Sequence, residues 1–193
     1  MANTNKPFGL RPVQSLVGPQ IGKIRQFLVP ATDATAIFIG DPVKLAGTSG
    51  SINGDDATYP TATIGTINDV FVGVCVGVVP LYSDLTVNYR KASTAMYIMV
   101  DTDPNTEFEV QGDLDTFDAA DVGLNMSLTF TAGDTTTGTS KMVADQSTAA
   151  VTATLDVSVL GTSPVQNNDL TGAFPLLRVR LNNHQYIDGT TGL

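Results

Sequence analysis

Apolar residues in this chain come in short runs, and several runs alternate with polar residues at a period of two. Glu107-Phe108-Glu109-Val110-Gln111 puts Phe108 and Val110 on one side and the acids on the other. Leu155-Asp-Val-Ser-Val159 and Leu177-Arg-Val-Arg-Leu181 do the same. That period belongs to half-buried strands. No stretch sustains a 3.6-residue apolar period; at best, 116–121 forms one helical turn. Turn chemistry separates the runs: Gly40-Asp-Pro42, Asn53-Gly-Asp-Asp56, Asp101-Thr-Asp-Pro104, Gly133-Asp-Thr-Thr-Thr-Gly138 and Asn167-Asn-Asp169. The resulting strands are expected at 36–39, 42–45, 62–67, 70–79, 85–89, 95–100, 106–111, 124–131, 153–160 and 175–182. The Thr-, Ser-, Gly- and Ala-rich tract 133–150 reads as a loop or an edge hairpin. Many short strands with regular punctuation predict an all-β barrel or sandwich.

The first thirty-two residues have a different character. They hold Pro7, Pro12, Pro19 and Pro30, and the bases Lys6, Arg11, Lys23 and Arg25, with no acid before Asp33. The rest of the chain then carries six bases against nineteen acids. Prolines at this spacing exclude a helix and favour an extended path. The stretch is also studded with apolar side chains, among them Phe8, Leu10, Val13, Ile21, Phe27 and Leu28. Two parts are expected: an extended N-terminal arm (1–32) and an all-β body (33–193). The arm should lie on a neighbour, with Phe8, Leu10, Val13, Phe27 and Leu28 as apolar anchors. Lys6, Arg11, Lys23 and Arg25 would meet acidic surface on another copy. Removing residues 2–29 would then leave a folded body.

The chain of 193 residues is long enough for a core without disulfides or metals. A net charge of −9 argues against neutralising nucleic-acid phosphates, so no direct nucleic-acid partner is expected. Prolines and glycines break every run in residues 1–20, and the longest apolar stretch, 70–81, is too short for a membrane helix. Synthesis and folding in a cytoplasm, with no membrane partner, are expected.

Chemistry-bearing residues are sparse. One cysteine, Cys75, lies mid-strand and reads as a buried, inert thiol. One histidine, His184, excludes a multi-histidine metal site and reads as a polar residue held by hydrogen bonds. There is no G-x-S-x-G elbow, and Gly73-Val-Cys-Val-Gly77 has none of the lysine chemistry of a phosphate loop. Asp101, Asp103, Glu107, Glu109, Asp113, Asp115, Asp118 and Asp121 form a dense acidic stretch. Asp113, Asp115 and Asp118 miss the spacing of a calcium loop. A glycosidic carboxylate pair would need two acids facing one cleft. Solvated edges and turns, or an acidic surface for a basic arm, are the expected roles. Neither an enzyme nor a metal or organic cofactor is expected.

The opening Asn3-Thr-Asn-Lys-Pro7-Phe-Gly-Leu-Arg-Pro12-Val13 resembles the start of a family of tailed-bacteriophage virion proteins. Further pieces follow in the family's order: Pro30-Ala-Thr-Asp-Ala34, Gly40-Asp-Pro-Val-Lys-Leu45, a Gly-Val-rich strand at 72–79, and Asp103-Pro-Asn-Thr-Glu-Phe-Glu-Val-Gln111. Asp121-Val-Gly-Leu-Asn125, Thr136-Thr-Gly-Thr-Ser140 and Asn182-Asn-His-Gln185 complete the series. The family is of the capsid cement or decoration type. The resemblance implies a structural protein on the capsid surface of the virion, bound to a shell of HK97-type major capsid protein. It further implies a homotrimer or another symmetric homo-oligomer. Gly40–Leu45 followed by the Gly-Val strand is similar to the small barrel or β-tulip of several capsid stabilisers. The alternative within the same class is a head fibre or tail module binding a receptor or sugar.

Overall fold

The structure, a computed structural model, describes residues 3–18, 23–52 and 57–187. The Asn53-Gly-Asp-Asp56 turn and Pro19 and Ile21 of the N-terminal stretch lie outside them. The described residues are all-β, with one 3₁₀ turn at Ala119–Asp121 where a single helical turn was expected. Asp118 caps that turn by accepting from the Ala120 N–H.

Two sheets carry the fold. Strands β2 (Ile24–Val29), β3 (Pro42–Gly50), β4 (Tyr59–Ile64), β5 (Gly73–Val78) and β6 (Met96–Asp101) close a five-stranded barrel in the order β2-β4-β3-β5-β6. Its register sets Phe27 opposite Ile98, Val43 opposite Ile64 and Cys75 opposite Val100. Those side chains fill it, with Val29, Ala62, Ile37 and Val72. Strands β1 (Arg11–Ser15), β7 (Thr106–Gln111), β8 (Asn125–Thr129), β9 (Val143–Ala150), β10 (Val157–Thr162) and β11 (Leu176–Leu181) form a second sheet in the order β1-β7-β11-β10-β8-β9. This sheet curls: a parallel bridge joins Gly112 to Ala144, and the Asp113 N–H donates to the Ala144 carbonyl at 3.1 Å. Phe108, Val110, Met126, Leu128, Val157, Val159, Leu177 and Val179 line its inner face.

The modules share a core, because Phe71 and Val74 pack among the sheet's side chains. Polar stitches cross the seam. The fully buried Asp156 carboxylate accepts from the Asn68 N–H at 2.7 Å and the Leu128 N–H at 2.8 Å, while Leu10 N–H donates to the Gly40 carbonyl at 2.9 Å. At that crossing there is no room for a side chain on Gly9 (φ +71°). A Cβ there would lie 2.5 Å from Ser140 Cβ and 2.6 Å from the Gly40 oxygen. Arg90, with no exposed surface, fastens the barrel's entry loop. Its guanidinium donates to the carbonyls of Thr94 (3.0 Å), Thr35 (2.5 Å), Pro30 (2.7 Å) and Asp33 (2.8 Å).

The N-terminal stretch is extended, as expected, but the structure corrects its division from a body at residue 32. β1 is a strand of the six-stranded sheet, with Pro12 opposite Phe108, and β2 pairs with β6 along its whole length. Leu10, Phe27 and Leu28, expected as anchors on a neighbour, are buried in their own chain. Prolines forbid a helix, but Pro12 sits on an edge strand, where a missing N–H costs least. The bases follow suit: Arg11 pairs with Glu109 and Lys23 with Asp103 of the same chain.

Candidate functional site

Alternation along β7 turns Phe108 and Val110 into the core and Glu107, Glu109 and Gln111 outward. The acids are nevertheless buried, at 7% and 3% exposure. They are covered by the lead into β1 and by the stretch between β10 and β11. Gln111 accepts from the Lys6 N–H at 2.8 Å and donates to Asn5 Oδ1 at 3.0 Å. Glu109 is held between the Arg11 guanidinium and the Ser163 hydroxyl. Glu107 accepts from Gln14 Nε2 at 2.8 Å and from Arg178 Nη1 at 3.3 Å. Burial pulls the Glu109 pKa upward, but Ser163, Arg11 and Arg178 together hold it below the ordinary value. The outer face thus carries two acids and two bases in one network, Arg11–Glu109–Arg178–Glu107.

Two grooves flank this network. One, of about 530 Å³, crosses the strands from Gln14 and Leu16 over Glu107 and Arg178 to Leu160 and Gly161. The other, of about 420 Å³, lies between Phe8 and Lys6 on one side and Asn168 and Phe174 on the other. Its far wall is fixed by amides. Asn168 donates to the Ser163 and Leu176 carbonyls, and Asn3 donates to those of Asp169 and Ala173. Exposed apolar side chains at Val13, Leu16, Val17 and Val165 edge the same face.

The expected anchors and bases therefore divide. Phe8 is half-buried beneath the Arg11 guanidinium, 4.7 Å from its ring centroid. Lys6, Arg11 and Val13 are exposed on the outer face, and Arg25 stands over the Tyr186 ring at 5.6 Å. Leu10, Phe27 and Leu28 are core, and Lys23 is partly buried against Asp103.

Other titratable groups sit deeper. Burial pushes Cys75 up to about 12, in keeping with an inert thiol. His184 is buried, with Nδ1 accepting from the Tyr186 N–H at 3.1 Å and Nε2 without a partner among the described residues. Asp41 is 1% exposed, and one carboxylate oxygen accepts from the Phe38 N–H at 2.8 Å. Asp145, 24 residues beyond the acidic stretch, joins Asp113 and Asp115, with one oxygen of each within 4.8 Å of the others. This is the one such grouping among the described residues. Burial, then the charges of Asp115 and Asp145, raise the Asp113 pKa. Among the described residues no helix is long and apolar enough to cross a membrane.

Comparison of the chain with family models, with curated proteins and with solved structures finds no match.

Proposed function

We propose that this chain is a capsid cement protein, a structural component that binds the outside of a tailed-bacteriophage head and stabilises its shell of HK97-type major capsid protein. The observation that carries the reading is the barrel. Gly40–Leu45 and the Gly-Val strand at 72–79, the segments similar to a stabiliser's small barrel, lie in and beside β3 and β5, which pair in a closed five-stranded barrel. The fused second sheet gives a cement protein what it needs: a rigid plate with an exposed apolar border and a neutral, locked charge network. The border of Val13, Leu16 and Val17 makes contact with the shell, and many copies multiply modest contacts through avidity. The copies sit as homotrimers or other closed rings at symmetry positions, the usual solution for identical subunits.

The test is co-sedimentation of the purified protein with empty heads assembled from the cognate major capsid protein. Saturable binding at hundreds of copies per head, with heads more resistant to heat or denaturant, is the expected result. A handful of copies per particle would instead mark a fibre or tail component, and no binding would overturn the reading.

A further inference from the structure

After β11 the chain crosses to Phe71 and turns back on its one histidine. Neutral amides pin it just before the turn. Asn182 Nδ2 donates to the carbonyls of Ala153 (2.8 Å) and Leu155 (3.0 Å), Asn183 Nδ2 to that of Thr154 (3.0 Å), and the Asn182 N–H to that of Asp156 (2.9 Å). Phe71, fully buried, then holds the chain in a short parallel bridge. Its N–H donates to the Asn183 carbonyl at 3.0 Å, and its carbonyl accepts from the Gln185 N–H at 2.7 Å. Beyond that point the turn closes on His184 itself. The Ile187 N–H donates to the His184 carbonyl at 3.2 Å, and the Tyr186 N–H donates to the ring at Nδ1.

The imidazole is 2% exposed, and its surroundings suit one protonation state. An Nδ1 that accepts from a main-chain N–H fixes the neutral tautomer, with the ring hydrogen on Nε2. That hydrogen meets no acceptor among the described residues. A second proton can therefore enter only at Nδ1, where it displaces the Tyr186 N–H and creates a buried cation with no acceptor at either nitrogen. Neighbouring charges do not offset this. Asp103, on the turn after β6, favours the cation, but burial outweighs it and Lys23 already pairs with that carboxylate. Arg25 of β2 stands over the Tyr186 ring and opposes a second cation nearby. In the loop before Phe71, Asp69 is paired with Lys44, and Asp156 is taken up by the N–H groups of Asn68 and Leu128. The amide pins at Asn182 and Asn183 carry no titrating group. We propose that residues 184–187 form an acid-released clasp: protonation of His184 swings this turn off Phe71 about the pinned pair Asn182–Asn183, while barrel and sheet stay folded. The clasp belongs to the fold and is independent of the cement reading.

In the open turn the imidazole titrates at its ordinary 6.5, and in the closed one at about 4, so the open population should grow about tenfold per pH unit between them. Amide hydrogen exchange on the ¹⁵N-labelled full chain reads this population. From pH 6.5 to about pH 5, after correction for the intrinsic rate of a free amide, protection at Gln185 and Tyr186 should fall by about tenfold or more. Val179 in β11 and Asn182 should keep theirs. His184→Asn retains an acceptor for the N–H two residues on but cannot titrate, so its turn should stay shut across the range. Long-range ¹H–¹⁵N spectra of the unaltered chain supply a reading that needs no variant: hydrogen on Nε2 alone is expected at pH 7. The proposal is overturned if protection at Gln185 and Tyr186 ignores pH, if Val179 and Asn182 lose protection with them, if His184→Asn opens along the same pH slope, or if the hydrogen sits on Nδ1 at pH 7.

Discussion

Arg90 Nη2 lies 2.7 Å from the carbonyl oxygen of Pro30, sixty residues earlier in the chain. Buried guanidinium groups usually answer carboxylates; this one chiefly answers main chain. Its nearest acid oxygen, Asp33 Oδ1, is 3.8 Å away, while four carbonyls take its protons. Arg90→Met should leave those acceptors buried without donors and cost about 3–5 kcal/mol. Arg90→Lys should recover only part, since an ammonium cannot span the planar fork. Urea denaturation of the three proteins checks this, and equal stability of Lys and Arg at this position would contradict it.

Asp41 and His184 should impose opposite pH slopes on stability. Burial pushes the Asp41 carboxyl up to about 6 from 3.8, against hydrogen bonds from Ser140 and Phe38. Its contribution is complete below pH 3.8 and is lost as pH rises through about 6. Burial pulls His184 down to about 4 from 6.5, against the Asp103 charge. Its contribution is complete above pH 6.5 and is lost as pH falls towards about 4. Asp41→Asn should therefore be the more stable protein at pH 8, by up to about 3 kcal/mol, and should weaken on acidification. His184→Gln should strengthen on acidification instead. Parallel profiles for the two variants would refute the assignment.

Relief of like charge is the expectation at the three-acid cluster. Asp115 is exposed, and its charge helps raise the Asp113 pKa. Asp115→Asn should raise the urea midpoint at pH 7, by an amount equivalent to about 0.2–0.5 kcal/mol. Added salt should shrink the gain, because it screens the repulsion being removed. A loss of stability at low salt would mean that the carboxylate is held by something other than repulsion.

Much of the sheet was legible because strand periodicity is local. The run 106–111 coincides with β7, and seven further expected runs overlap a strand. The stretch at 36–39 forms only isolated bridges, Ile37 to Arg90 and Ile39 to Thr139, where Arg90 takes the Asp33 and Thr35 carbonyls just before it, and 85–89 forms none. The outer-face network was not legible. Alternation correctly sends Glu107 and Glu109 outward, but what covers them arrives from far away: Arg11 is 98 residues from Glu109 and Ser163 is 54. The acid triad was hidden for the same reason, since Asp145 meets Asp113 only through the curl of the sheet.

Gly9 offers a test of how firmly the N-terminal strand is seated. Gly9→Ala places a methyl against Ser140 and the Gly40 carbonyl in a backbone conformation that favours glycine. It should cost about 2 kcal/mol or more. Chymotrypsin should then cut after Phe8 and Leu10 faster than in the unaltered chain. Unchanged cleavage together with unchanged stability would show that the crossing has slack.

Removal of residues 2–29 takes away β1 and β2 together, including Phe27 and Val29 of the barrel core. A folded remainder is no longer the expected outcome. The shortened chain should lack a cooperative unfolding transition, and a soluble, cooperatively melting product would contradict the placement of β2.

The pairing of β2 with β6 and of β1 with β7 also sets a timetable for synthesis. β1 has no strand partner until residues 106–111 emerge, and β2 has only its single parallel pairing of Leu28 with Thr61 on β4 until β6 follows, so much of β2 waits in water while the chain lengthens. Long-range pairing of this kind is slow, because distant segments must meet before burial rewards them. A nascent chain in that interval presents bare strand edges to its neighbours, and it is then most prone to aggregate. Expression at reduced translation rate or high copy number should therefore penalise this protein more than its final stability would suggest.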